Sequence, residues 1–329
     1  MRNSVSLLAC ASAAALCVAG ASQAVAGSKI VTFDPQGSEG TYAYAINDTG
    51  AITGYYMDSA GNLHGFLRAK GAIASFDVPG ASETYPNSIN GLGAIAGYFQ
   101  GKSYDEGFVR ATDGTIATFY DTGATTPSGI NDKGAVTGSW QDASNVWHAF
   151  VRSPKGTITS FDPAGSIASY PLGINDRGTI AGEYLDSNDV YHGFVRASDG
   201  TITSFDPQGS VYTSPFGLDD RGAVVGCYAD SKDVFHGFVR KKGGTIASFD
   251  VSGATGTFAD SIDERGAVAG YYTVFGGGYH GFVRSATGTI TTFDPPDSTF
   301  TRPEGMAGHG EAAGYYSDTS GVYHGFLRR

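Results

Sequence analysis

From Lys29 to Arg329 the chain is a succession of short apolar runs of strand length, each closed by a polar turn. One stretch shows the pattern. YPLGI, TIAGEYL, YHGFVR and GTITSF follow one another, separated by Asn175-Asp176-Arg177-Gly178, Asp186-Ser187-Asn188-Asp189 and Ala197-Ser198-Asp199-Gly200. Runs of β-branched and aromatic residues bounded by Gly, Asn and Asp predict four antiparallel strands joined by tight turns.

This unit recurs along the chain. Phe-Asp or its equivalent begins at Phe33, Phe76, Phe119, Phe161, Phe205, Phe249 and Phe293, at spacings of 42 to 44. HGFVR or a variant begins at His64, Glu106, His148, His192, His236, His280 and His324. Ile-Asn-Asp-x-Gly or a variant ends at Gly50, Gly93, Gly134, Gly178, Gly222, Gly266 and Gly310. Three markers in one phase, seven times each, predict an all-β fold: a seven-bladed β-propeller with four strands per blade. The first run, KIVTFD, is of fourth-strand type, and the last, YHGFLRR, is of third-strand type. A strand at about 30–34 is therefore expected to join the three C-terminal strands and close the ring, which removes exposed edges. A stacked solenoid is the alternative; it would want polar capping repeats, and none is visible.

Composition narrows the class. Gly is 49 of 329, roughly twice the usual share, yet it shows no every-third-residue period, so collagen is excluded. Charged residues are 16% and aromatics 12%, the reverse of a disordered chain. The formal charge of −11 argues against a nucleic-acid binder.

Residues 1–26 are of another kind. Arg2, the apolar stretch from Leu7 to Ala19, and Ala24-Val25-Ala26 read as a secretory signal peptide cleaved after Ala26, leaving residues 27–329 as one propeller domain. Leu7-Leu8-Ala9-Cys10 lacks an apolar core before it, so lipidation at Cys10 is not expected. Cys10 and Cys17 leave with the leader, and Cys227 alone can form no internal disulfide. No later apolar run is long enough to span a membrane. A secreted or periplasmic monomer is expected.

Positions filled in every repeat read as scaffold, because one site does not need seven copies. Register places His64 opposite Asp77, His148 opposite Asp162, His192 opposite Asp206, His236 opposite Asp250, and His280 opposite Asp294. His324 would meet Asp34 across the closure. Cross-strand hydrogen bonds explain these six histidines without a metal. The deviant repeat has Glu106 and Tyr120, where Tyr is expected to donate to Glu. The arginines ending each third strand, Arg68 to Arg328, read as solvated or salt-bridged rim residues. No metal or cofactor motif is present, nor a Ser elbow, phosphate loop or CxxC.

Gly129-Ile130-Asn131-Asp132-Lys133-Gly134, Ala135-Val136-Thr137-Gly138 and His148-Ala149-Phe150 resemble the HAF repeat of bacterial exported proteins. The resemblance covers Lys29 to Arg329 and implies export and a propeller-like array. It implies no catalytic residues.

Function is then expected where repeats differ. Five positions before the Asn of the turn stand Tyr42, Tyr85, Thr126, Tyr170, Ser214, Phe258 and Arg302. Three before it stand Tyr44, Asn87, Ser128, Leu172, Phe216, Asp260 and Glu304. Aromatics with a few carboxylates and one Arg suit an uncharged or anionic sugar at the mouth of a central channel. The candidate ligand-binding residues are Tyr42, Tyr44, Tyr85, Tyr170, Phe216, Phe258, Asp260, Arg302 and Glu304. The expected role is a binding module for a glycan or extracellular protein. A second reading is a glycoside hydrolase using Asp260 and Glu304, or a polysaccharide lyase using Tyr42 or Tyr85 with Arg302. A third is a structural cell-surface protein.

Overall fold

The computed structural model describes residues 29–329; the signal-peptide reading of residues 1–26, with Cys10 and Cys17, lies outside them. These residues form 28 strands and, among the described residues, no helix. The strands run as consecutive four-strand antiparallel meanders, of which the fourth is Ser166–Ile174, Ile180–Asp186, Tyr191–Arg196 and Ile202–Phe205. The fifth and sixth share one sheet through a single parallel bridge from Phe235 to Gly256. The last is built from both ends of the chain. Ile30–Phe33 pairs with Tyr323–Arg328, Ile30 opposite Arg328 and Phe33 opposite Gly325. The innermost strands pack in a cycle, so that Ser38–Ile46 touches both Thr84–Ile89 and Ser298–Ala307. The arrangement is that of a β-propeller.

The recurrent turn explains itself chemically. Asn175 Oδ1 accepts the Thr179 N–H at 2.9 Å, which shapes the turn. Its Nδ2 donates to the Asp219 carbonyl of the next meander at 2.9 Å. Asn47, Asn90 and Asn131 make the same bridge, to the carbonyls of Asn90, Asn131 and Asn175. The following Asp works across the same seam, Asp176 Oδ1 accepting the Asp132 N–H at 2.7 Å. The turn ends on Gly178 at φ 79°, a left-handed conformation cheap only for glycine. Thus Asn-Asp-x-Gly recurs because it staples neighbouring sheets.

The third-strand phenylalanines, from Phe66 to Phe326, are 0% exposed. Each meets, edge to face, the Phe of the preceding Phe-Asp; Phe161 and Phe194 are 6.1 Å apart at 77°. The arginines join this seam instead of standing at a solvated rim. Arg196 lies 4.7 Å over the Phe161 ring, and Arg240 4.7 Å over Phe205. The ring face attracts the guanidinium while the aliphatic stem fills the seam. Arg68 and Arg240 are buried.

Candidate functional site

The histidines occupy a clamp. His64, His148, His192, His236, His280 and His324 place Nδ1 at 3.0, 2.7, 2.7, 2.9, 2.9 and 2.8 Å from Asp77, Asp162, Asp206, Asp250, Asp294 and Asp34. Sequence reasoning missed a second carboxylate on the other nitrogen. Nε2 of His192 lies 3.6 Å from Asp186, the first residue of the second-to-third turn, and four other histidines repeat this with Asp58, Asp142, Asp230 and Asp318. The same Asp186 accepts the Asn188 and Val190 N–H groups. Those N–H groups, with Asn188 and His192, hold its carboxyl down at about 2. Partial burial works against charge on His192, but Asp206 and Asp186 outweigh it and raise the imidazole. The ring also packs at a tilt against Tyr184, with centroids 5.2 Å apart. A histidine fixed on three sides is a fastener. Among the described residues no three His, Cys, Asp or Glu converge as a metal set.

The deviant repeat differs from expectation. Tyr120 is 56% exposed and packs 6.2 Å from Tyr104, making no hydrogen bond to Glu106.

The varied columns fall on two kinds of position. Every innermost strand carries a β-bulge, and Tyr44, Asn87, Ser128, Leu172, Phe216, Asp260 and Glu304 are the residues skipped in pairing. A bulge re-aims a side chain without disturbing the ladder. The other column alternates around the ring with second-strand residues. Tyr42 stacks on Tyr55, Tyr55 meets Tyr85, and Tyr85 stacks on Tyr98, with centroids 5.0, 5.2 and 4.6 Å apart. Across the ring Tyr170 pairs with Glu183, and Phe258 stacks on Tyr271 at 4.6 Å.

The structure brings together only part of the candidate set. Arg302 Nε lies 2.8 Å from Glu304 and its guanidinium 5.2 Å over Tyr271, with Asp260 beside it. Burial disfavours the charge on Arg302, but Glu304 and Asp260 outweigh it. Burial likewise pushes both carboxyls up, Arg302 pulling each back. Asp260 is 6% exposed and its Oδ2 has no hydrogen-bond partner. Tyr85 stands apart, donating to Glu83. Burial raises the phenols of Tyr42 and Tyr85, aided by Tyr323 and Glu83 respectively.

Glu183 was also missed. Its carboxyl is pushed up to about 7 by burial, Ser214 and Tyr212 pulling back, and Oε2 has no partner. The available signal was a lone Glu in a second-strand column of mostly Tyr, where Cys227 also falls.

The ends of the molecule differ sharply. Strand alternation puts the second-to-third turns and the inter-meander connections at one end. Phe275, Tyr120, Ile167, Val211, Tyr279, Tyr104 and Val322 are exposed there, Phe275 at 97%. Only Leu92 among the exposed large apolar residues lies at the Asn-turn end. Lys and Arg total 21, one of them Arg2. Of the 20 in described residues, Lys102 and Lys232 alone sit in turns at the aromatic end, and Arg302 lies between. The other seventeen are at the Asn-turn end, against ten of the 32 Asp and Glu. Nineteen carboxylates crowd the aromatic end.

No family model and no curated protein sequence matches the chain. Solved structures do. Virginiamycin B lyase from Staphylococcus aureus is 14% identical with a TM-score of 0.62, covering 92% of this chain and 99% of its own. The β-propeller domain of the Trilobed protease from Pyrococcus furiosus is 12% identical, TM-score 0.62, covering 87% and 95%. TolB from Acinetobacter baumannii is 13% identical, TM-score 0.52, covering 92% and 80%. Likeness at this identity establishes the fold: the chain is an all-β protein of β-propeller architecture.

Proposed function

We propose that the chain is an exported, monomeric, seven-bladed propeller of HAF-repeat type that serves as a binding module, with its ligand at the aromatic end. The blade count rests on 28 strands in fours and on seven copies of each repeat marker. The observation that carries the binding reading is the gathering of exposed aromatics there, led by Phe275 and Tyr279. Exposed apolar groups concentrated on one face mark an interaction surface. Carboxylates around them make that face a poor host for an anionic sugar, so the ligand is a neutral or amine-bearing glycan.

Catalysis fits less well. Glu304 is already engaged by Arg302, and Asp260 is too buried to meet a polymer. A lyase base needs a phenol with a lowered pKa, and burial moves Tyr42 and Tyr85 the other way. A purely structural role leaves the exposed aromatics without purpose.

A glycan array on the purified protein tests this. Neutral or amino sugars should bind, with no ultraviolet signal from unsaturated products. Phe275→Ala with Tyr279→Ala should weaken binding about tenfold. Capture of a basic protein instead would keep the surface and change the partner; no binding at all would refute the reading.

A further inference from the structure

The Asn-turn end carries a basic surface, separate from the aromatic end. Two grooves lie side by side there, of about 200 and 480 Å³, one on each side of the fifth meander. Arg221 and Lys242 line both, and Arg177, Arg240, Lys241 and Arg284 complete their charge. None of these six makes an ion pair within 4.0 Å among the described residues. The carboxylates in the grooves are engaged by backbone. Asp220 accepts the Asp176 N–H at 2.8 Å, and Asp219 the Ala223 N–H at 2.7 Å. Arg240, 7% exposed with its guanidinium 4.7 Å over Phe205, lines the first groove.

The charge continues beyond the grooves. The third residue of the Asn turn is Lys133, Arg177, Arg221 and Arg265 in four successive repeats at intervals of 44, and a neutral partner, His309, takes the next place. Arg265 Nη2 reaches His309 Nδ1 at 3.4 Å. These residues form an arc. Inside it, nearer the axis, stand Asp132, Asp176, Asp220 and Glu264.

We propose that this arc and its grooves bind an acidic polysaccharide, a single chain bearing carboxylate or sulfate groups. Periodic cations suit a ligand with periodic acids. The inner carboxylates exclude a wide, flat polyanion such as a nucleic-acid duplex or a bilayer, which would lie across the axis and meet them. Single-stranded nucleic acid wants exposed aromatics for stacking, and among the described residues Leu92 is the only exposed large apolar side chain at this end. The net charge of −11 conceals the site, because the acidic excess lies at the other end.

The test is fluorescence anisotropy with a labelled heparin decasaccharide on the purified protein. Polyguluronate, neutral dextran, an oligothymidylate and anionic vesicles serve as competitors. Binding should weaken with salt and yield to polyguluronate but not to dextran. Arg221→Gln with Lys242→Gln should weaken it at least tenfold, and Arg177→Gln alone, in a separate exposed turn, severalfold. Lys102→Gln with Lys232→Gln, at the aromatic end, should change nothing. Unchanged affinity in both groove variants would overturn the proposal, as would preferred competition by the oligothymidylate or vesicles. Because Phe275 and Tyr279 are untouched, failure here leaves the aromatic-end reading standing, and the reverse.

Discussion

Replacing Glu183 by Gln should stabilise the protein, and should do so only above the acid range. The side chain lies in Ile180–Asp186, paired with Tyr170 and facing Ser214 and Tyr212 of the next meander. Burial lifts its carboxyl from 4.5 to about 7. Below pH 4.5 both folded and unfolded chains hold the proton, and Glu183 is neutral in each. Between the two values the unfolded chain releases it while the folded chain keeps it. Stability therefore falls as pH rises through this window and levels off above it. Each unit of difference is worth ~1.4 kcal/mol, so Glu183 costs about 3 kcal/mol at pH 8. Glutamine keeps the shape and never ionises. Urea unfolding of both proteins at about pH 5, 6, 7 and 8 measures the gap directly. The variant should be near parity at the acid end and lead by about 3 kcal/mol at the alkaline end. Parallel curves would refute the argument, showing that the carboxylate has a compensating partner or reaches water.

Three further outcomes are expected. Asp206→Asn should return the His192 imidazole toward its ordinary value in an NMR titration. Its stability cost, up to about 1 kcal/mol for a half-exposed pair, should be largest below pH 6.5 and shrink as pH rises through the raised His192 value. Phe238→Ala removes a 0%-exposed ring from a seam and should cost about 3–5 kcal/mol in chemical unfolding. Cys227 is buried and its thiol is pushed well up by burial, with Asp260 and Glu183 adding to the rise. It should therefore ignore a thiol reagent at pH 8 until the protein is unfolded.

What could be read from the sequence was whatever is repeated. Seven copies of Phe-Asp, HGFVR and Ile-Asn-Asp-x-Gly fix the strands, the turns and the register that sets each His opposite an Asp. Contacts between sheets were less legible, because they depend on twist and not on register. Nothing in the position of Arg196 says that it will lie over Phe161 of the preceding sheet. Single departures were hardest. Glu183 is one substitution in a mostly Tyr column, and its chemistry comes from being enclosed. The varied inner columns were visible as variation, but their bulged geometry was not. The separation of charge needs each turn assigned to an end, which linear charge counting erases.

The sheet completed by Ile30–Phe33 couples folding to synthesis. Asp34 and His324, bonded across that seam, are 290 residues apart in sequence. Joining segments so distant is entropically slow, whereas each other meander assembles from neighbours. A nascent chain can form its early sheets one after another while its first strand waits without a partner. That strand is an exposed edge until Tyr323–Arg328 has been made, and an exposed edge invites pairing with other chains. Without Tyr323–Arg328, the strand Ile30–Phe33 has no partner and the ring stays open at this seam.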